Sequence, residues 1–329
     1  MAARRTVKVG EWVEVRPLTD IMKTLDDNCA FDGMPFLPEM VRYVGHRFQI
    51  VKSAHKTCDP TGASDLRRIP DAVHLETRCD GSAHGGCEAR CLLFWKNAWL
   101  KPVDGPQVDD KPPLSPQDDD LEKLEAATRY TTDFGEVRYR CQATEVVAAS
   151  NKLPVSDMRQ YVEDVSTGNV QGSQLLIEMV RLYANAAIGK ALRSVGIGGA
   201  RVDVAKPAGA PTRQPATLDL QPGELVQIRP AEEILATLDE RLKNRGLTLE
   251  LEMLRHCGRI YRVLARVTRL IDEKSGKMIN LTSDCVILDG VSCRGLDNRQ
   301  RAFCPRGALF YWREAWLKRA GIPDGSGKS

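Results

Sequence analysis

Four cysteines and three histidines crowd into one short stretch of the chain: Cys58, Cys79, Cys87 and Cys91, with His55, His74 and His84 among them. Thiolates and imidazoles are soft or borderline ligands, and four of them at tetrahedral corners bind zinc when the loops carrying them bend tightly. The loop CDGSAHGGCEARC at 79–91 has that character, because Gly81, Gly85 and Gly86 permit close turns between its thiols. Cys58, Cys79, Cys87 and Cys91 are therefore the expected metal ligands, with His55 and His84 as alternates. Four thiolates also suit an iron-sulfur cluster. The spacing matches no recognised cluster pattern, so zinc is the expected cofactor and a cluster the alternative. A zinc with three protein ligands and an open position would be catalytic, with His55, His84 or Asp80 as ligand or base. No nucleophile elbow, phosphate-binding glycine loop or paired carboxylates accompany it.

Ten cysteines in 329 residues exceed what an ordinary intracellular chain uses for packing. The start, MAARRTVKVGEWVEV, passes into an alternating pattern without the apolar core of a secretory signal. The most apolar stretch, 175–195, is interrupted by Glu178, Arg181, Asn185, Lys190 and Arg193, too many polar groups for a membrane span. A cytoplasmic location is expected, where clustered cysteines serve more often as metal or redox groups than as disulfides. Lys plus Arg number 47 against 44 Asp plus Glu, and a formal charge of +3 gives no argument for a polyanion partner.

The elements that must position these residues come in two sets. GEWVEVRPLTDIMKTLD at 10–26 recurs as GELVQIRPAEEILATLD at 223–239, an offset of 213 residues. The alignment runs ungapped to Asp59 and Asp272, through Gly33 and Gly246, Glu39 and Glu252, Met40 and Met253, with 15 identities in 50 positions. Unrelated sequences would share about three. FWKNAWLK at 94–101 matches YWREAWLK at 311–318. Each copy reads as a strand stopped by Pro17 or Pro230, a short amphipathic helix, and further strands ending in the tryptophan-rich segment. The expected fold class is α+β: two duplicated, SH3-like β-barrel units around a helical middle segment.

The boundaries follow from composition. A first Cys/His repeat occupies 8–103, and 104–120 is an acidic, Pro-rich linker. A strand and two helices fill 121–195, the second helix at 174–195 having a broad apolar face expected to be buried. A Gly/Ala/Pro linker covers 196–221, the second repeat 222–320 and a flexible tail 321–329.

The second repeat aligns Cys293 with Cys79 and Cys304 with Cys87, and adds Cys257 and Cys285, so Cys257, Cys285, Cys293 and Cys304 form a second expected metal set. Buried packing is the alternative for Cys257 and Cys285, and Cys29 and Cys141 are assigned to packing. Arg255, Arg259, Arg262 and Arg266 recur every three or four residues and are the candidate contacts if nucleic acid binds. The five tryptophans lie in the repeats; Trp95, Trp99, Trp312 and Trp316 sit at matched places near each repeat's end, as core-closing residues do.

GEWVEVR, CDGSAHGGC and FWKNAWLK, followed by DCVIL and CPRGALFYWREAWLKR, resemble a bacterial family of uncharacterised proteins with two related Cys-rich halves. The resemblance implies a bacterial cytosolic origin and carries no activity, cofactor or catalytic residue. The expected function is a metal-stabilised tandem-domain binding or scaffold protein with a protein partner. The alternatives are a metal-dependent enzyme with an open zinc or iron-sulfur site in the first repeat, and a nucleic-acid-binding barrel protein.

Overall fold

A computed structural model describes residues 8–59, 66–107, 118–181, 217–296, 301 and 303–321. The chain divides into two compact units: Met1–Val180 with Arg269–Ile279 and Arg294–Ala308, and Arg181–Thr268 with Asn280–Cys293 and Leu309–Ser329. The class is α+β, with many small sheets. Among the described residues, no helix is long and apolar enough to cross a membrane.

In the first unit, β1 (Trp12–Val15) alternates half-buried and buried residues, sending Val13 and Val15 inward. Pro17 lacks the N–H a strand ladder needs and stands at the start of α1 (Leu18–Met22). The hairpin β2 (Ala30–Phe31) and β3 (Met34–Pro35) leads into a 3₁₀ turn, Pro38–Tyr43. The strands β4 (Arg47–Gln49), β5 (Lys52–Ser53), β6 (Lys56–Cys58), β7 (Leu66–Arg68), β8 (Ala72–Arg78), β9 (Leu92–Lys96) and β10 (Leu100–Val103) follow. They pair antiparallel as β10–β1–β4 and β5–β8–β9. Trp95 and Trp99 close this core without solvent exposure, and their indole N–H groups donate to Thr77 and Thr24.

The middle segment is part of the first unit. After α2 (Asp118–Ala127), the hairpin β11 (Arg129–Thr131) and β12 (Val137–Tyr139), and α3 (Gln142–Glu145), the strand β13 (Asn151–Leu153) joins a sheet of order β13–β7–β6. The helix α4 (Arg159–Ser166) then places Asp164, fully buried, against Lys56 of β6, with Lys56 Nζ 2.5 Å from Asp164 Oδ2. Residues 172–181 are helical, but Leu176, Ile177 and Val180 are all exposed, so this part of the expected buried face is not covered. The remainder of that helix, 182–195, lies outside the described residues, as do most of both linkers and nearly all of the tail.

The second unit starts with β14 (Leu225–Ile228) and α5 (Ala231–Leu235), followed by the hairpin β15 (Lys243–Asn244) and β16 (Leu247–Thr248), the 3₁₀ turn Leu251–His256, and β17 (Ile260–Arg266). Through that turn every boundary stands 213 residues beyond its counterpart in the first repeat. The hairpin β18 (Arg269–Ile271) and β19 (Met278–Asn280) belongs, apart from Asn280, to the first unit. β20 (Cys285–Ser292), β21 (Leu309–Arg313) and β22 (Leu317–Arg319) complete a five-stranded sheet of order β21–β20–β17–β14–β22. Its core holds Trp312 and Trp316, and Trp316 donates to Thr237 as Trp99 does to Thr24. The repeat boundary drawn from sequence thus differs from the structural one, since 269–279 and 294–308 pack with the first unit.

Candidate metal centre

Among the described residues, one group of three metal-ligating side chains converges: the ligand atoms of Glu39, Cys79 and His84 lie within 4.8 Å of one another. Three separate features bring them together. Pro38 opens the 3₁₀ turn with a preset φ, and burial of Met40 and Val41 pins that turn so that Glu39 points inward, only 6% exposed. Cys79 follows the last residue of β8, its N–H donating to the Cys91 carbonyl at 2.9 Å. His84 rides on the tight loop between them. There the Gly81 carbonyl accepts from the N–H groups of His84 and Gly86, both at 2.9 Å. Gly81 itself has φ +72°, and a Cβ there would lie 2.0 Å from the Cys87 carbonyl oxygen, so only glycine fits.

The protons in this corner are informative. Cys79 Sγ donates to Glu39 Oε1 at 3.1 Å, and His84 Nδ1 lies 2.9 Å from that same oxygen. His84 Nε2 lies 3.2 Å from the Arg140 carbonyl, which accepts only, so Nε2 carries a proton. The Cys79 thiol proton and the His84 ring thus meet at one carboxylate oxygen. A divalent cation replaces such a proton, since metal binding requires thiolate and an imidazole lone pair and releases protons. The Nε2–H to Arg140 contact is the outer hydrogen bond that commonly fixes the tautomer and ring orientation of a metal-binding histidine. Glu39 Oε2 is buried with no hydrogen-bond partner among the described residues, a second acceptor that positive charge would satisfy.

Electrostatics agree. Burial raises the Glu39 carboxyl, yet the hydrogen bond and charge of His84 outweigh it and hold the group below its ordinary range. Burial, then the neighbouring Glu39 charge, pushes the Cys79 thiol far up, so it keeps its proton. Beside the three residues lies a cavity of about 30 Å³, lined by Cys87, Cys91, Cys141, Leu93 and Ile271 among others. Burial raises Cys91 to about 12 and Cys141 to about 11.

The structure divides the expected first ligand set. Cys79 and His84 join the group, and Cys87 and Cys91 line the adjoining cavity. Cys58 does not, because the β13–β7–β6 sheet turns it toward Cys304, whose sulfur accepts from the Cys58 N–H at 3.1 Å. His55 also stands apart, buried between Ser53 and Asp164, its Nε2 3.3 Å from Asp164 Oδ1. The second expected set is split across the two units. Cys304 lies in the first; in the second, Cys293 Sγ is 3.6 Å from Glu252 Oε2, while burial raises Cys285 to about 12 within the sheet and Cys257 ends the 3₁₀ turn. Among the described residues, no group of metal-ligating side chains includes these thiols.

The arginines are not one stripe. Arg255 is in the 3₁₀ turn, Arg259 precedes β17, and Arg262 and Arg266 share the face of β17 opposite Val263 and Ala265. Arg262 donates to the Gly223 carbonyl, and Arg266 is held by Asp219, Asp284 and Glu314. Two residues of the site region lay outside the sequence expectation: Glu39, aligned with Glu252 but not read as a ligand, and Cys141, which lines the cavity. The shared Glu39 and Glu252 were the available signal. Comparison with protein-family models, curated proteins and solved structures finds no match.

Proposed function

We propose that Glu39, Cys79 and His84 bind a divalent metal ion, zinc by the chemistry of the donors, and that the protein is a metal-stabilised binding or scaffold protein. The convergence of a buried carboxylate, thiol and imidazole at one carboxylate oxygen carries this reading. Zinc accepts oxygen, sulfur and nitrogen donors together. The thiol spacing matches no recognised cluster pattern, which favours zinc over an iron-sulfur cluster. The cavity beside the ligands brings Cys87, Cys91 and Cys141 near as further thiol donors, and a full set of protein ligands favours a structural metal over a catalytic one. The recurrence of elements at an offset of 213 supports two copies of one SH3-like unit, with the complete metal corner retained in the first. A protein partner in the cytoplasm fits a molecule built this way.

Element analysis and an absorption spectrum of the anaerobically purified full chain test the proposal. One zinc per chain without visible absorption is the expected result, with protons released when zinc is added to the metal-free protein. Iron with sulfide, or a folded chain that takes up no zinc, contradicts it.

A further inference from the structure

A pair of thiols lies apart from the Glu39–Cys79–His84 corner. Cys58 ends β6 and Cys304 lies in the segment Arg294–Ala308, both within the first unit. The Cys58 N–H donates to Cys304 Sγ at 3.1 Å, and a further hydrogen bond joins the two sulfurs. Leu66, directly across from Cys58 in the β6–β7 ladder, packs with Leu153 around the pair. Cys304 is buried and Cys58 half-buried, so Cys58 is the more accessible residue of the two. Arg306 places Nη1 4.0 Å from Cys58 Sγ, and its Nη2 is anchored on Glu273 at 2.6 Å.

The geometry points to Cys58 and Cys304 as a redox-active dithiol that a hydroperoxide oxidises to a disulfide, with Cys58 attacking and Cys304 resolving. The hydrogen bond from Cys304, then Arg306 and Arg301, outweigh burial and bring the Cys58 thiol down to about 6. The hydrogen bond to Cys58 and burial raise Cys304, so the proton stays on the sheltered sulfur. A thiolate beside a fixed guanidinium is the reactive kind. In the first step the Cys58 thiolate attacks one peroxide oxygen. The S–O bond forms, the O–O bond breaks, and hydroxide leaves and takes up a proton as water. The sulfur loses two electrons and becomes a sulfenic acid. In the second step the Cys304 sulfur gives up its proton and attacks the Cys58 sulfur, forming S–S and breaking S–O. The departing hydroxide takes that proton as a second water. Two thiols and one peroxide give one disulfide and two waters. The bond would tie β6 to a segment 246 residues away in sequence, so thiol state would set how firmly that segment is held.

Hydrogen peroxide, one equivalent at neutral pH on the reduced full chain, followed by non-reducing peptide mapping, tests this. Cys58–Cys304 is expected as the main cross-link. In Cys304→Ala, Cys58 should accumulate as sulfenic acid trapped by dimedone. Arg306→Gln should slow peroxide consumption roughly tenfold as the thiolate fraction falls. Wild-type mapping needs no variant to fold, and oxidation of other thiols ahead of Cys58, or absence of this cross-link, overturns the proposal. An unchanged rate in Arg306→Gln overturns the assignment of Cys58 as the activated thiol.

Discussion

Two corners of the molecule occupy equivalent places in the two repeats and differ by one side chain. In the first, Glu39 meets Cys79 and His84; in the second, Glu252 meets Cys293, and the segment after Cys293 contains no histidine. The oxygen–sulfur contact is 3.1 Å in the first and 3.6 Å in the second. A carboxylate and a thiol on a 3₁₀ turn and a strand end therefore belong to the shared framework, and the imidazole is what turns the first into a three-donor site. The glycine-bent loop that lifts His84 supplies it. The difference teaches that the framework places two donors and the loop decides whether a third joins them.

The same contrast extends through the cores. The largest expected effect concerns charge. Lys56 and Asp164 are both fully buried and paired in the first unit, and Asp164 comes from the middle segment, which has no counterpart in the second repeat. Removing one member of such a pair strands a buried charge. Asp164→Ala should cost about 3–5 kcal/mol in denaturant unfolding of the full chain, and Lys56→Met with Asp164→Leu should recover most of it. A loss under about 1 kcal/mol for the single change would show that the pair is not buried as described.

A smaller effect separates His74 from Ile287, matched positions on β8 and β20 that are both without exposure. His74 donates from Nδ1 to the Leu93 carbonyl at 2.8 Å, and burial, aided by Arg306 and Arg78, lowers it from 6.5 to about 4. Between those values the unfolded chain binds a proton that the folded chain refuses. The contribution is complete above 6.5 and is lost as pH falls toward 4, amounting to about 3 kcal/mol. His74→Ile should flatten the stability slope across that window, as measured by denaturant midpoints at several pH values. An unaltered slope would place the acid sensitivity elsewhere.

Much of the framework was legible in sequence because its signals are local. Alternation marked β1 and β14, Pro17 and Pro230 marked where they stop, and the paired tryptophans marked where each core closes. The glycines of 81–86 marked the loop that carries His84. Glu39 was not legible as a ligand, since it lies 40 residues before Cys79 and nothing in its own turn announces that it faces inward. Nor was the meeting of Cys58 with Cys304, which depends on β7 and β13 forming one sheet with β6 and on 294–308 packing with the first unit. Local periodicity reports which face of a strand is buried, while the identity of the covering segment is settled by long-range packing.

Metal stoichiometry of Cys79→Ser beside Cys293→Ser, on the full chain purified in parallel with wild type, tests the central claim most directly. The account predicts one zinc per chain in wild type and in Cys293→Ser, and a loss of at least about 100-fold in zinc affinity in Cys79→Ser. Equal metal content in both variants, or loss only in Cys293→Ser, would contradict it.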